Sequence, residues 1–212
     1  MNKTSIEWTD YTWNPVTGCL KNCSYCYASA ISKRFHISFK PTFHPERLEE
    51  PIKLKKPSKI FVCSMADLFG EWVPSEWIHR VLDVVKACPQ HTFQFLTKDP
   101  KRYSEFTPFY NNVWIGATAT DQAYWRYAQF WLASVNAPVK FISVEPFLHR
   151  INPFFDGMKF IPDWLIIGAC TGKEAKQPDP EWVKLLEQSC KGVSVFHKDN
   201  LIGGYRKEFP II

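Results

Sequence analysis

Six short apolar runs, each rich in β-branched or aromatic residues, most of them separated by stretches at helical spacing, constrain the fold of this chain more than any other feature. They cover residues 59–63, 92–96, 113–117, 139–144, 164–168 and 192–196, and a weaker seventh run, 11–14, precedes them. Near-continuous apolar strands of this kind are buried on both faces, and their alternation with helices is the pattern of a parallel α/β sheet. The intervening helices are expected over residues 26–34, 75–87, 101–106, 121–135 and 181–191. In the second, Trp77, Ile78, Val81, Leu82 and Val85 share one face, with Ser75 placed as a candidate N-cap; in the last, Asp179 precedes Pro180 at the first helical position. Seven strands fall one short of a closed eight-stranded barrel. The expected fold is therefore a partial, open parallel β/α barrel of the TIM type, formed by a single domain over residues 1–212, since a chain of 212 residues with 45% hydrophobic content can core one domain well and is short for two.

Each strand is followed at once by small or polar residues: Ser64-Met65-Ala66-Asp67, Thr97-Lys98-Asp99, Thr118-Ala119-Thr120-Asp121, Glu145-Pro146, Ala169-Cys170-Thr171-Gly172 and His197-Lys198-Asp199-Asn200. Sites in parallel α/β folds are built from the loops at the carboxyl ends of the strands. With the cysteine-bearing loop that follows the weak first strand, seven loops would converge on one mouth.

That first loop reads Gly18-Cys19-Leu20-Lys21-Asn22-Cys23-Ser24-Tyr25-Cys26-Tyr27, a C-x3-C-x2-C spacing. Three thiolates can hold three irons of a cubane cluster and leave the fourth iron open to a small molecule, which points to an enzyme rather than an electron carrier. Zinc is the alternative: it usually takes four ligands in closely spaced pairs, and although no second C-x2-C exists, His36 or His44 could supply a fourth. Seven cysteines, an odd number, argue against a disulfide framework and for a reducing cytoplasm, and Cys63, Cys88, Cys170 and Cys190 sit in apolar or helical contexts as small buried hydrophobes. The N-terminus has no signal-peptide core, and no apolar segment is long enough to span a membrane, so no membrane partner is expected.

A net charge of +5 with a pI near 8.8 permits an anionic partner without demanding one. Aromatic residues make up 16% of the chain, with nine tryptophans, which suits core packing and allows an aromatic-lined pocket.

The C-x3-C-x2-C loop after a first strand, the aromatic Tyr25 before the last cysteine and the following partial barrel resemble the radical S-adenosylmethionine superfamily. The likeness extends along nearly the whole chain. The segments Ile6-Glu7-Trp8-Thr9-Asp10, Trp13-Asn14-Pro15-Val16-Thr17-Gly18-Cys19, Ser64-Met65-Ala66-Asp67-Leu68-Phe69, Pro89-Gln90-His91-Thr92-Phe93-Gln94-Phe95-Leu96-Thr97-Lys98, Ser143-Val144-Glu145-Pro146 and Asp179-Pro180-Glu181-Trp182-Val183 are similar to the phage-associated branch, whose members are largely of unknown function. Many members of that branch space the first two cysteines further apart. The branch also ends its sixth strand in a Gly-Gly-Glu-Ser-Gly-like turn, where this chain has Gly168-Ala169-Cys170-Thr171-Gly172, so Cys170 stands in place of a glutamate.

The resemblance implies that Cys19, Cys23 and Cys26 bind a [4Fe–4S] cluster whose open iron chelates S-adenosylmethionine, and that one electron from an external donor cleaves the sulfonium to give a 5′-deoxyadenosyl radical. It places Tyr25 against the adenine, Ser64, Met65 and Asp67 near the cofactor's amino group, Thr118 and Thr120 near its ribose, and Gly168 and Gly172 where backbone approaches it closely. Glu145 is the first choice for a catalytic carboxylate and Lys98 for a catalytic cation. Lys198 sits at an equivalent strand end, and an ion pair with Glu145 or Asp67 would account for either lysine. His149 and His197 are expected to be ordinary hydrogen-bonded histidines. The implied substrate is unidentified, with nucleic acid or nucleotide favoured by the basicity. Two other readings stand beside this one: a non-enzymatic iron–sulfur or zinc module that binds nucleic acid or a protein partner, and a partner subunit whose cluster is only structural.

Overall fold

The computed structural model describes residues 1–154, 157, 160–172 and 175–211. Its main sheet is built from β1 (Asn2–Lys3), β2 (Tyr11–Trp13), β5 (Lys59–Val62), β6 (Thr92–Thr97), β7 (Val113–Thr118), β8 (Val139–Val144), β9 (Trp164–Ile167) and β10 (Ser194–His197), paired in that order. All ladders from β2 to β10 are parallel, and only the short β1 is antiparallel. The two-residue strands β3 (Val16–Thr17) and β4 (Thr42–Phe43) form a separate ribbon. Because each parallel strand lies beside its predecessor in sequence, the winding never reverses, as it would in a doubly wound sheet. Among the described residues, no helix is long and apolar enough to cross a membrane.

Among the described residues there are five α-helices: α1 (Tyr27–Arg34), α2 (Glu50–Lys53), α3 (Ser75–Ala87), α4 (Gln122–Ala133) and α5 (Pro180–Ser189). Alternate strand residues face them: Ile60 and Val62, Phe93 and Phe95, Val113, Ile115 and Ala117, Ile142 and Val144, and Leu165 and Ile167 pack in one core with Ile78, Val81 and Val85 of α3, Trp125 and Leu132 of α4 and Leu186 of α5. Asp121 caps α4 by accepting from the Ala123 and Tyr124 amides at 2.9 and 3.0 Å, and Asp179 caps α5 through the Glu181 amide at 2.9 Å. Pro74, not Ser75, takes the cap position of α3, while the Ser75 hydroxyl accepts from Arg102 at 3.0 Å. The helix expected over 101–106 is a 3₁₀ helix, Pro100–Glu105.

The other face of the sheet carries a second apolar cluster: Phe61, Trp114, Phe141, Trp164, Ile166 and Phe196, centred on Trp8 from the segment between β1 and β2. The Trp8 ring lies 4.7 Å from Phe61 on β5 and 6.1 Å from Trp164 on β9. In a flat sheet these two strands would stand about 19 Å apart, so a single indole touching both means that the sheet curls around it. Below, Phe209 from the C-terminal segment packs on Trp164 and Phe196 at 5.4 and 5.5 Å, and Lys59 covers its ring at 4.6 Å. The concave face is thus filled at its base and left open at the carboxyl ends of the strands.

Candidate active site

The opening above Trp8 is a cavity of about 720 Å³, within the range that holds small-molecule ligands. Strand alternation decides which side chains reach it. Phe141 fills the core of the concave face, so Ser143 and then Glu145 rise above it; likewise Phe61 leads to Cys63 and Phe196 to Lys198.

The cysteine loop is pinned from two sides. Gly18 donates its amide to the Met65 carbonyl at 2.9 Å, and the Cys19 amide reaches the Phe39 carbonyl at 3.1 Å. A Cβ at Gly18 would lie 2.2 Å from the Lys40 carbonyl oxygen, and its φ of +85° disfavours other residues, so the motif's glycine is set by close backbone approach. The Cys19 and Cys26 sulfurs accept from the Lys21 and Ser29 amides, each at 3.4 Å, and Cys26 is the N-cap of α1. Burial pushes the Cys19 thiol up, against the lowering effect of the Lys21 amide.

All three cysteines line the cavity and are half-buried; none of the seven cysteines is in a disulfide. Among the described residues, no three His, Cys, Asp or Glu side chains converge closely enough to share one metal ion. A cubane distributes its thiolates over separate corners, so three thiols set along one wall of a cavity fit a cluster. His36 is exposed and His44 is engaged with Thr17 at 2.8 Å and Glu46 at 3.3 Å; neither lines the cavity, which removes the expected fourth zinc ligand.

Tyr25, Ser64, Asp67, Lys98, Thr118 and Glu145 line the same cavity as the cysteines. The Lys98 ammonium lies 5.7 Å from the Tyr25 ring centroid, and the Tyr25 hydroxyl bonds Cys23 and Thr120. Burial, followed by the charge of Cys23, raises the Tyr25 pKa. Thr120 therefore touches the site through Tyr25 and does not line it.

Asp67 differs from expectation. Its carboxylate accepts from the Thr97 hydroxyl at 2.6 Å, the Lys98 amide at 2.9 Å and the Phe69 amide at 3.3 Å. Burial raises its pKa against these bonds. Three of its acceptor positions are taken by its own chain, where they fasten the carboxyl end of β6 to the loop after β5.

Glu145 receives Lys198 at 2.8 Å, and Lys198 also faces Glu7 at 3.6 Å; the other oxygen of Glu7 accepts from the Asp199 amide at 2.9 Å. Burial lowers the Lys198 pKa, but Glu145 and Glu7 together raise it further. Gly168 serves this pair: a Cβ there would sit 3.1 Å from the Glu145 carboxyl carbon and from Asn200. Gly172 lies away from the cavity, where a Cβ would meet nothing within 4 Å. His149 is exposed, and His197 turns to the outer face, where it meets Glu187 at 3.0 Å.

Sequence reasoning missed several lining residues. Cys63 and Cys170 are buried but line the cavity, and Cys63 adopts a φ of +61°, uncommon for a residue with a Cβ. Its burial pushes the thiol up to about 12. Tyr27 donates to the Ser64 carbonyl, and burial lifts its hydroxyl to about 12. Glu7, Thr12 and Ser143 are further additions. The two-residue period along each strand would have found Ser143, whereas Glu7 comes from an irregular segment with no pattern.

The fold is similar to solved structures of spore photoproduct lyase. The complex with dinucleoside spore photoproduct matches with a TM-score of 0.58 at 12% identity over 89% of this chain and 62% of that one. A doubly substituted form with bound AdoMet and dinucleoside spore photoproduct matches with a TM-score of 0.54 at 11% identity, over the same shares. The chain thus spans about 62% of the length of these structures, and at such identity the likeness is one of fold. No curated protein matches the sequence. The model of one family covers residues 3–208, and the chain belongs to that family, described as protein of unknown function, DUF5131.

Proposed function

We propose that this chain is a radical S-adenosylmethionine enzyme of the phage-associated branch, built on an open parallel barrel and working in a reducing cytoplasm. The observation that carries the reading is that Cys19, Cys23 and Cys26 share one cavity with Tyr25, Thr118 and Glu145 at the carboxyl end of a singly wound parallel sheet. One of the fold neighbours, a form of spore photoproduct lyase, was solved with bound AdoMet, which supports S-adenosylmethionine as the ligand of this cavity. A [4Fe–4S] cluster held by these cysteines, together with S-adenosylmethionine, would supply reductive radical chemistry for hydrogen abstraction from a substrate.

The protein's own part is to bind, orient and enclose. Cys19, Cys23 and Cys26 would hold the cluster, with the Lys21 and Ser29 amides directed at the Cys19 and Cys26 sulfurs. Tyr25, fixed between Lys98 and Thr120, offers an aromatic face to the adenine, and Thr118 and Ser143 present hydroxyls from the sheet to the ribose or the substrate. Asp67 is a positioning residue that sets the Thr97–Lys98 turn, which leaves Lys98 aimed at the cavity. Lys198, shared with Glu7, orients the Glu145 carboxyl toward the substrate, and the Trp8 cluster beneath excludes water. A nucleic acid or nucleotide substrate is supported by the basic charge and by the dinucleoside seen in the neighbours.

Anaerobic reconstitution tests this. The expected result is about four iron and four sulfide per chain and 5′-deoxyadenosine on reduction, both lost in Cys23→Ala. Stoichiometric zinc with no cluster absorption and no cleavage would overturn it in favour of a binding module. A cluster whose loss in Cys23→Ala only destabilises the fold, with no cleavage to lose, would assign it a structural role.

A further inference from the structure

Three strands each send one hydroxyl into the cavity with no protein group to bond it. Thr12 on β2, Thr118 on β7 and Ser143 on β8 are 9%, 5% and 2% exposed, and all three line the opening. Thr118 and Ser143 are partners across the β7–β8 ladder, so they stand side by side on the concave face. Among the described residues, nothing hydrogen-bonds any of the three hydroxyls. Glu145 rises two positions beyond Ser143. Its Oε1 accepts from Lys198 at 2.8 Å, and among the described residues nothing donates to its Oε2. A Cβ at Gly168 would come within 3.1 Å of its carboxyl carbon, so backbone stands close behind it. Of the donors on the Lys198 ammonium, Glu145 and Glu7 engage two, at 2.8 and 3.6 Å, which leaves one over. Buried polar atoms without partners cost stability, so a wall that gathers these around one opening is built for a group that pairs them.

We propose that this wall reads the Watson–Crick edge of an unpaired nucleobase, an inference that rests on the proposed function and narrows its substrate. The charges select a neutral polar group: Glu145 and Glu7 repel a phosphate, and Lys198 repels a cation. Glu145 and Lys198 set an acceptor beside a donor. Each nucleobase carries the complement on its pairing edge, an N–H next to a carbonyl oxygen or a ring nitrogen. A trans peptide bond turns its N–H and C=O to opposite sides and cannot meet both at once. The Trp8 and Phe61 rings, 4.7 Å apart, line the opening from beneath and give a planar ring an apolar floor. Because a hydroxyl both donates and accepts, Thr12, Thr118 and Ser143 suit the remaining polar atoms of such a ring. In a duplex the pairing edge is occupied, so only a base that is free, single-stranded or flipped out presents it.

Saturation-transfer NMR tests this on the full chain before and after cluster reconstitution, with S-adenosylhomocysteine present to fill the cofactor's place. The probes are adenosine, guanosine, cytidine and uridine, the same nucleosides methylated on the pairing edge, and ribose 5-phosphate as the base-free control. At least one plain nucleoside is expected to bind, and its methylated form at least about tenfold more weakly. In fluorescence anisotropy, a labelled oligonucleotide is expected to bind at least about tenfold more tightly as a single strand than in its duplex. Nucleoside binding without strand binding would assign the base to a free nucleotide. Glu145→Gln and Lys198→Met should each weaken nucleoside binding by about tenfold. Ser143→Ala separates binding from folding: it removes a hydroxyl that bonds nothing in the protein, so the urea midpoint should hold while nucleoside binding falls by about threefold. The proposal is overturned by a chain that binds no nucleoside, by methylated nucleosides or ribose 5-phosphate binding as tightly as the plain ones, or by a duplex binding as tightly as a bound single strand. Unchanged nucleoside binding in both Glu145→Gln and Ser143→Ala overturns it as well, and leaves the hydroxyls to water. Failure of the native chain to form 5′-deoxyadenosine on reduction would instead refute the proposed function, because binding is read without reduction.

Discussion

At Asp67 the chemistry that a residue type suggests and the chemistry it performs separate. An aspartate at a strand end next to a cysteine loop invites a ligand, yet this one accepts three hydrogen bonds from Phe69, Thr97 and Lys98. Two of those partners lie some thirty positions away, a separation that no local pattern carries. Asp67→Ala would leave a buried hydroxyl and two buried amides without their acceptor, and the expected cost is about 2–4 kcal/mol of stability in urea unfolding. A pure cofactor contact would lower affinity for S-adenosylmethionine and leave the unfolding midpoint unchanged. The same long-range geometry hid the full set of partners around Lys198. Its position at a strand end was legible, and an ion pair with Glu145 was among the expectations, but Glu7, which closes the trio, comes from the opposite end of the chain.

Secondary elements were legible in proportion to their length. The helix Ser75–Ala87 and the strand Val139–Val144 follow their sequence patterns to the residue, because each has enough positions to express its period. The strands β1, β3 and β4 have two residues apiece and express none. Near the chain's end, the strap that follows β10 is held by a cluster the sequence did not suggest: His197 and Arg206 both reach Glu187, at 3.0 and 3.1 Å, and Arg206 also reaches Glu208 at 2.8 Å. The hydrogen bond from His197, and then Arg206, hold the Glu187 carboxyl below its ordinary range, and Arg206 does the same for Glu208. A lowered carboxyl pKa contributes stability above the ordinary value of 4.5, and that contribution is lost as pH falls through the lowered one. The strap is therefore expected to loosen below pH 4.5, seen as faster hydrogen exchange at residues 205–209, with the acid step reduced in Glu187→Gln.

Over the whole molecule, the parallel sheet was readable because its strands are apolar on both faces, and an open barrel was expected from their number, while the residue it curls around was not. Curvature depends on what fills the concave side, and the filler is Trp8, a residue outside every periodic run. Trp8→Ala would leave a void among Phe61, Phe141 and Trp164, and an expected loss of about 3–5 kcal/mol should appear in denaturant unfolding together with a weakened cavity floor. The first and last parallel strands, β2 and β10, are joined across the mouth by Glu7 rather than by a ladder of amide bonds. Beneath that contact the Trp8 and Phe209 rings span the same gap by packing on Trp164, and no rung of the sheet crosses it. The wall of this sheet therefore has a seam closed by side chains alone, where the two edges can shift against each other while the ladder between them stays whole.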